Sequence, residues 1–242
     1  MYSTLAAAIA LVVGTMATVA SDPITCDRGP SQAPTALILD LEHTVFDWGG
    51  YCEGWSEWSM TDTAAGLRLD HLGGEPYSNV HFYRNLSTPS STRSFVLSMD
   101  FEVPSTTFNN TGAPSLVQAL EFTFSRWASG TRHEWAIQWV NVGMAEPGYR
   151  YWDPRFGWID TGIDATLSPG WHRLEISGQV VSGGAKLRSI DVDGTLHRLN
   201  ITVPSTAAPG SGDISAVAVQ LDGNSQGEGY AITLRNVDLV VR

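Results

Sequence analysis

Two stretches, 119–125 and 217–222, constrain this chain more than any other feature, because in each of them every second side chain is apolar. Leu120, Phe122 and Phe124 alternate with Glu121, Thr123 and Ser125, and Val217, Val219 and Leu221 alternate with Ala218, Gln220 and Asp222. A repeat of two is the repeat of a β-strand, whose successive side chains point to opposite faces. Each stretch therefore predicts a strand that buries one face and displays the other. Between them lies an aromatic block with Trp127, Trp135, Trp139, Tyr149, Tyr151, Trp152, Phe156 and Trp158. The two together predict a sheet floored with amides and carboxylates and rimmed with rings.

Further strands are predicted almost everywhere. Ala36 to Leu41, Gly66 to Asp70, Asn79 to Arg84, Thr92 to Val103, Glu134 to Val142, Gly148 to Trp152 and Trp158 to Ile163 have strand character. So do Trp171 to Gly178, Lys186 to Val192, Thr195 to Ile201 and Tyr230 to Val241, while Cys52 to Thr61 reads as a strand or a pinned loop. Turn signals separate them, and Asp193-Gly194 between two strand runs is a hairpin signal. The one helical candidate, Ser115 to Leu120, is short and runs into a strand. The expected fold is all-β, a sandwich of two antiparallel sheets.

The chain has 242 residues. Leu5 to Val13 is an apolar run followed by Thr18-Val19-Ala20, which predicts a signal peptide over residues 1–20 and a secreted, extracellular protein. No charged side chain falls in that segment. The formal net charge of -11 then belongs to residues 21–242, read as a single β-sandwich domain with a disulfide-pinned N-terminal segment, and it disfavours nucleic acid and anionic membranes as partners. No stretch after the signal is apolar for long enough to span a bilayer.

Cys26 and Cys52 are the only cysteines, and in an oxidising compartment they are expected to pair, closing a loop of roughly 25 residues worth about 3 kcal/mol. Asn85-Leu86-Ser87, Asn109-Asn110-Thr111 and Asn200-Ile201-Thr202 match the N-glycosylation pattern.

The segments Gln118-Ala119-Leu120-Glu121-Phe122, Gly170-Trp171-His172-Arg173-Leu174, Ile190-Asp191-Val192-Asp193-Gly194 and Tyr230 to Val237 resemble successive strands of the concanavalin A-like lectin/glucanase jelly rolls, particularly secreted laminin-G-like modules. The resemblance covers Thr92 to Arg242. It implies a ligand site on a concave sheet, in a superfamily that includes lectins, carbohydrate-binding modules, glycoside hydrolases and polysaccharide lyases.

With Leu120, Phe122, Phe124, Val217, Val219 and Leu221 turned inward, Glu121, Thr123, Gln220 and Asp222 face outward together. Turning Ile137 inward as well sets Gln138 beside Glu121 and Gln220, leaves room over Ala136, and sends Trp135 and Trp139 to the core. Trp171 is also expected in the core. Glu121, Gln138, Gln220 and Asp222 are the candidate ligand-binding residues, with Tyr151, Trp152 and Trp158 as ring platforms. Amides donate and accept, carboxylates accept, and rings cover the apolar side of a pyranose, so the set suits a polysaccharide or oligosaccharide.

Catalytic chemistry is harder to place. The Glu-x-Asp-x-x-Glu run of the best-known glucanases of this superfamily is absent, since positions 123 and 125 are Thr and Ser. Glu121 paired with Asp222 or Glu134 is the hydrolase candidate. A lyase needs a base and a group that neutralises a uronate carboxylate, for which His133, Tyr151, Gln138 and Arg132 are candidates. His172 reads as a packed strand residue. No cofactor is expected and no zinc spacing occurs; calcium is the one metal considered, with Asp191, Asp193, Asp222 and Asn224 as oxygen ligands.

Three functions fit: a secreted lectin-like carbohydrate-binding domain, which fits best; a hydrolase or lyase acting on a polysaccharide; and a structural or adhesive extracellular protein.

Overall fold

The computed structural model describes residues 36–38, 40–43, 45–88, 91–108, 116–141 and 147–242. The signal segment, Cys26, Ser115 and the Asn109-Asn110-Thr111 motif lie outside the described residues. Numbered along the chain, the strands are β1 (Ala36–Ile38), β2 (Gly49–Glu53), β3 (Ser56–Thr63), β4 (Gly66–Gly74), β5 (Asn79–Leu86), β6 (Ser94–Val103), β7 (Val117–Ala128) and β8 (Thr131–Val140). They continue with β9 (Gly148–Asp153), β10 (Gly157–Asp164), β11 (Gly170–Val181), β12 (Gly184–Val192), β13 (Thr195–Pro204), β14 (Thr206–Ala207), β15 (Ile214–Gly223) and β16 (Tyr230–Val241).

They form two antiparallel sheets. The front sheet runs β10-β9-β8-β7-β15-β5-β2 with β14 beside β8, and the back sheet runs β13-β12-β11-β6-β16-β4-β3 with β1 beside β16. Val117–Ala128 and Ile214–Gly223, the strands read from strict alternation, are neighbours near the middle of the front sheet. Alternation is strongest there because such a strand has core on one side and the open face on the other.

Leu120, Phe122 and Phe124 on β7 meet Phe95, Leu97 and Phe101 on β6 in one continuous core. Phe95 packs on Phe124 at 4.4 Å between centroids, and Phe101 on Phe122 at 5.0 Å. Such ring pairs add about 0.5–1.5 kcal/mol each beyond the area they bury. Trp135 and Trp139 join this core as expected, and each satisfies its indole N–H: Trp135 donates to the carbonyl of Lys186 (3.0 Å), Trp139 to that of Ala165 (2.8 Å). The bond from Trp135 runs from the front sheet to the back.

Several expectations change. The segment Cys52 to Thr61 is neither one strand nor a loop: Gly49–Glu53 belongs to the front sheet and Ser56–Thr63 to the back, with Gly54 and Trp55 carrying the chain between them. Ser115 to Leu120 supplies no helix among its described residues, since Val117 already opens β7. Trp171 lies not in the core but on the outer face of the back sheet, half-buried under the Arg235 guanidinium, 3.7 Å from its ring. His172, one residue on, faces inward against Phe101 and bonds Asp193 and the carbonyl of Ser168. Cys52 is half-buried, and its expected disulfide partner, Cys26, lies outside the described residues.

The Asp193-Gly194 hairpin joins β12 to β13 as read, with both residues at positive φ (50° and 83°). A two-residue turn matching the right-handed twist of its strands needs that conformation.

Candidate functional site

Register makes the site. On the outer face of the front sheet, Tyr51 stands opposite His81, His81 opposite Gln220, Gln220 opposite Glu121, Glu121 opposite Gln138, Gln138 opposite Arg150, and Arg150 opposite Asp160. Seven adjacent strands thus contribute one row of polar side chains perpendicular to the strands. With neighbouring strands about 4.8 Å apart the row is about 29 Å long.

The flanking rows differ from one another. On one side Glu53, Asn79, Asp222 and Ala119 follow in register. On the other come Gly49, Tyr83, Ala218, Thr123 and Ala136, small in the middle and aromatic toward the end, where Trp152 and Trp158 meet edge to face at 5.4 Å. A Cβ at Gly49 would lie 2.7 Å from the Tyr83 ring, so a larger residue there would push that ring aside.

Asp222 is the hub of the polar cluster. Its Oδ1 accepts from Gln220 Nε2 at 2.5 Å and its Oδ2 from Gln138 Nε2 at 3.1 Å. Gln138 reaches it from two strands away, over Ala119, which stands opposite Asp222 on the intervening strand. Glu121 Oε1 accepts from Thr123 Oγ1 at 2.8 Å. Nearby, Arg132 bonds Glu134 and, at 3.3 Å, Ser125, with its guanidinium 5.2 Å from the Trp127 ring centre.

Burial sets the charges. Glu121 keeps some accessible surface at the mouth but is ringed by protein, and loss of hydration together with the Asp222 charge pushes its carboxyl up to about 8. Asp222 is raised to about 7 by burial, against the two glutamine bonds that favour its ionised form. Burial lowers His81 to about 4 and raises Tyr51 to about 12, the latter with help from Glu53 and Glu121. His81 is therefore neutral near pH 7, its Nε2 buried without a hydrogen bond and 3.7 Å from Glu53 Oε1.

Of the residues expected here, the structure brings Glu121, Gln138, Gln220, Asp222, Trp152 and Trp158 to one face. Two go elsewhere. Tyr151 stands opposite Ile137 and packs toward the core, so it is no platform; a step of one along β9 decides this, and Trp152 takes the open side. His133 shares the inward phase of Trp135, and its Nδ1 bonds Ser205 Oγ at 2.6 Å, away from the row. A lyase constellation of His133 and Tyr151 with Gln138 and Arg132 is thereby split between two faces.

The oxygen ligands proposed for calcium do not converge. In the back sheet Asp191 caps the β12–β13 hairpin, accepting from the backbone N–H of Gly194, and Asp193 accepts from that of Arg173 on β11, whereas Asp222 and Asn224 lie at the end of β15. Among the described residues Asp40, Glu42 and His43 form a group with metal-ligand spacing, but Glu42 already accepts from the backbone N–H of Asn236 and Val237.

Sequence reasoning missed Tyr51, His81, Tyr83 and Arg150. Alternation with buried Val80 and Phe82 turns His81 and Tyr83 outward, and Arg150 lies between inward-facing Tyr149 and Tyr151, but only pairing of distant strands brings these residues and Tyr51 beside Gln220 and Gln138.

No family model and no curated protein matches the chain. Among solved structures, it is similar to the lectin UEA-II complexed with galactose (10% identity, 85% of this chain and 98% of that one, TM-score 0.56). It is also similar to the endo-β-1,4-glucuronan lyase of the fungus Trichoderma reesei (16%, 84% and 94%, 0.53) and to the alginate lyase Aly36B complexed with an alginate trisaccharide (14%, 84% and 97%, 0.52). The fold is the concanavalin A-like jelly roll.

Proposed function

We propose that this protein is a carbohydrate-binding domain that seats a polysaccharide across the strands of its front sheet. The observation that carries this reading is the in-register row from Tyr51 to Asp160, in which every side chain can hydrogen-bond. A glycan offers hydroxyl pairs along its whole length, and a row about 29 Å long spans several sugar units. Trp152 and Trp158 beside one end, with Tyr83 toward the other, supply ring faces for the apolar side of a pyranose. Lectins and polysaccharide lyases sharing this fold bind oligosaccharides, which supports the glycan as partner. Export follows the N-terminal sequence pattern, so the glycan is extracellular.

One observation favours a second reading, elimination on a uronate polymer. Tyr51 and neutral His81 lie at one part of the row, and Gln138 and Arg150 at another, which is the donor and base inventory that proton abstraction beside a carboxylate requires. Against it, Glu53, Glu121, Asp160 and Asp222 in these rows, and Glu134 beyond them, outnumber the arginines of the face, Arg150 in the central row and Arg132 beside Glu134.

The deciding experiment incubates the purified protein with glucans, xylans, mannans, alginate and glucuronan, and follows binding, reducing ends and the absorbance of unsaturated products together. Binding without product is the expected result. Unsaturated product would establish the lyase, and reducing ends abolished by Glu121→Gln a hydrolase. No binding to any glycan would leave the adhesive or structural role.

A further inference from the structure

Asp222 was selected from the sequence for its own chemistry, but its hydrogen bonds give it a different part. Both carboxylate oxygens are occupied from within the protein, by Gln220 Nε2 and Gln138 Nε2. The reverse amide orientation would press each glutamine carbonyl oxygen against a carboxylate oxygen at 2.5 and 3.1 Å, acceptor against acceptor. The nitrogens therefore point at Asp222. It follows that the oxygens point away from it, and neither Oε1 has a partner among the described residues or is sealed from solvent. Gln138 makes this bond across an entire strand, which the methyl of Ala119 permits and a larger side chain would obstruct.

We propose that Asp222 is a positioning residue: it turns the amide nitrogens of Gln138 and Gln220 inward and leaves their two carbonyl oxygens, with the Glu121 carboxyl, as the sugar-reading surface, which selects the hydroxyl donors of a neutral glycan over uronate carboxylates. This rests on the polysaccharide-binding reading and narrows its substrate class. A sugar hydroxyl donates to an amide oxygen, whereas a uronate carboxylate has only acceptors to offer and meets acceptors. The guanidinium that would otherwise receive it, Arg132, is engaged by Glu134 and Ser125, and Arg150 stands opposite Asp160. Discrimination arises because a buried polar group left facing its own kind loses its hydration without recompense.

Two measurements on the full protein test this at pH 8.5. In protein labelled with 15N-glutamine, the side-chain NH2 pairs of Gln138 and Gln220 should exchange with solvent on the order of 10-fold more slowly than free glutamine, and lose that protection in Asp222→Ala. Calorimetric titration with neutral gluco-, xylo- and manno-hexasaccharides and with glucuronan and alginate hexasaccharides should show at least one neutral ligand bound on the order of 10-fold more tightly than either uronate. Asp222→Asn, whose Nδ2 turns one glutamine over, should narrow that gap several-fold. Ala119→Val, which obstructs Gln138 without altering a polar group, should narrow it too, so the test survives if one variant does not fold. Tighter uronate binding, or a gap unchanged in both folded variants, would overturn the inference. Unprotected amides in a protein that binds glycan would remove the clamp alone; protected amides in a protein that binds no member of the panel would remove the binding reading and the selectivity with it.

Discussion

The rings of Tyr51 and His81 are stacked, their centroids 4.5 Å apart and their planes 4° from parallel, on the edge strand β2 and its neighbour β5. Stacking covers one face of the imidazole, and burial lowers its pKa to about 4. The native state then binds fewer protons than the unfolded chain between about pH 4 and 6.5, so this residue withdraws stability as pH falls through that window. Replacing His81 by Asn should leave a protein that outlasts the wild type as the pH drops, the difference reaching a few degrees in Tm at pH 4 and vanishing by pH 7. Thermal melts across that range check this, and a flat difference would refute it. Glu53, 3.7 Å from Nε2, attracts the protonated ring and limits the size of the effect.

Glu121 and Asp222 act with the opposite sign. Their raised pKa values, about 8 and about 7, mean that the fold holds protons the unfolded chain has released, so stability falls as pH rises from about 4 to 8. Glu121→Gln should match the wild type at pH 4 and exceed it at pH 8.5 by on the order of 5 °C. Equal melting curves at both pH values would show that water reaches the carboxyl freely.

Trp152 and Trp139 separate binding from stability. Trp152→Ala removes a half-buried ring beside Trp158 and should weaken glycan binding by about 10-fold with little change in Tm. Trp139→Ala empties a fully buried site and should cost about 3–5 kcal/mol in chemical denaturation. Reversed effects would mean that the two rings had been assigned to the wrong faces.

At the β12–β13 hairpin, Gly194 has φ +83°, a conformation a β-branched residue adopts with strain. Gly194→Val should cost about 1–3 kcal/mol in denaturant titration while glycan binding stays unchanged, since the hairpin belongs to the back sheet.

The central strands could be read from sequence alone because one apolar face and one polar face leave a period of two in the chain. That period put Glu121, Gln220 and Asp222 on one side, and turning Ile137 inward added Gln138 to them, which is the arrangement found in the structure. It failed where the pattern degenerates. Tyr151 and Trp152 are consecutive aromatic residues, and because neighbours on strand β9 face opposite sides only Trp152 can share the open face with Arg150. Between Cys52 and Thr61 the chain changes sheets within two residues, a step that hydrophobicity does not record.

The sequence by itself determined the class of fold, the alternation of the central strands and the polar and aromatic residue types available to the open face, because these depend on neighbours along the chain. Tertiary structure decided which distant strands lie side by side, and so aligned Tyr51, His81 and Arg150 with Glu121 and turned Asp222 from a ligand candidate into the partner of two glutamines. The order of strands far apart in sequence, and the register between them, come from their packing, whereas local turn and side-chain preferences fix register only within a hairpin such as β12–β13.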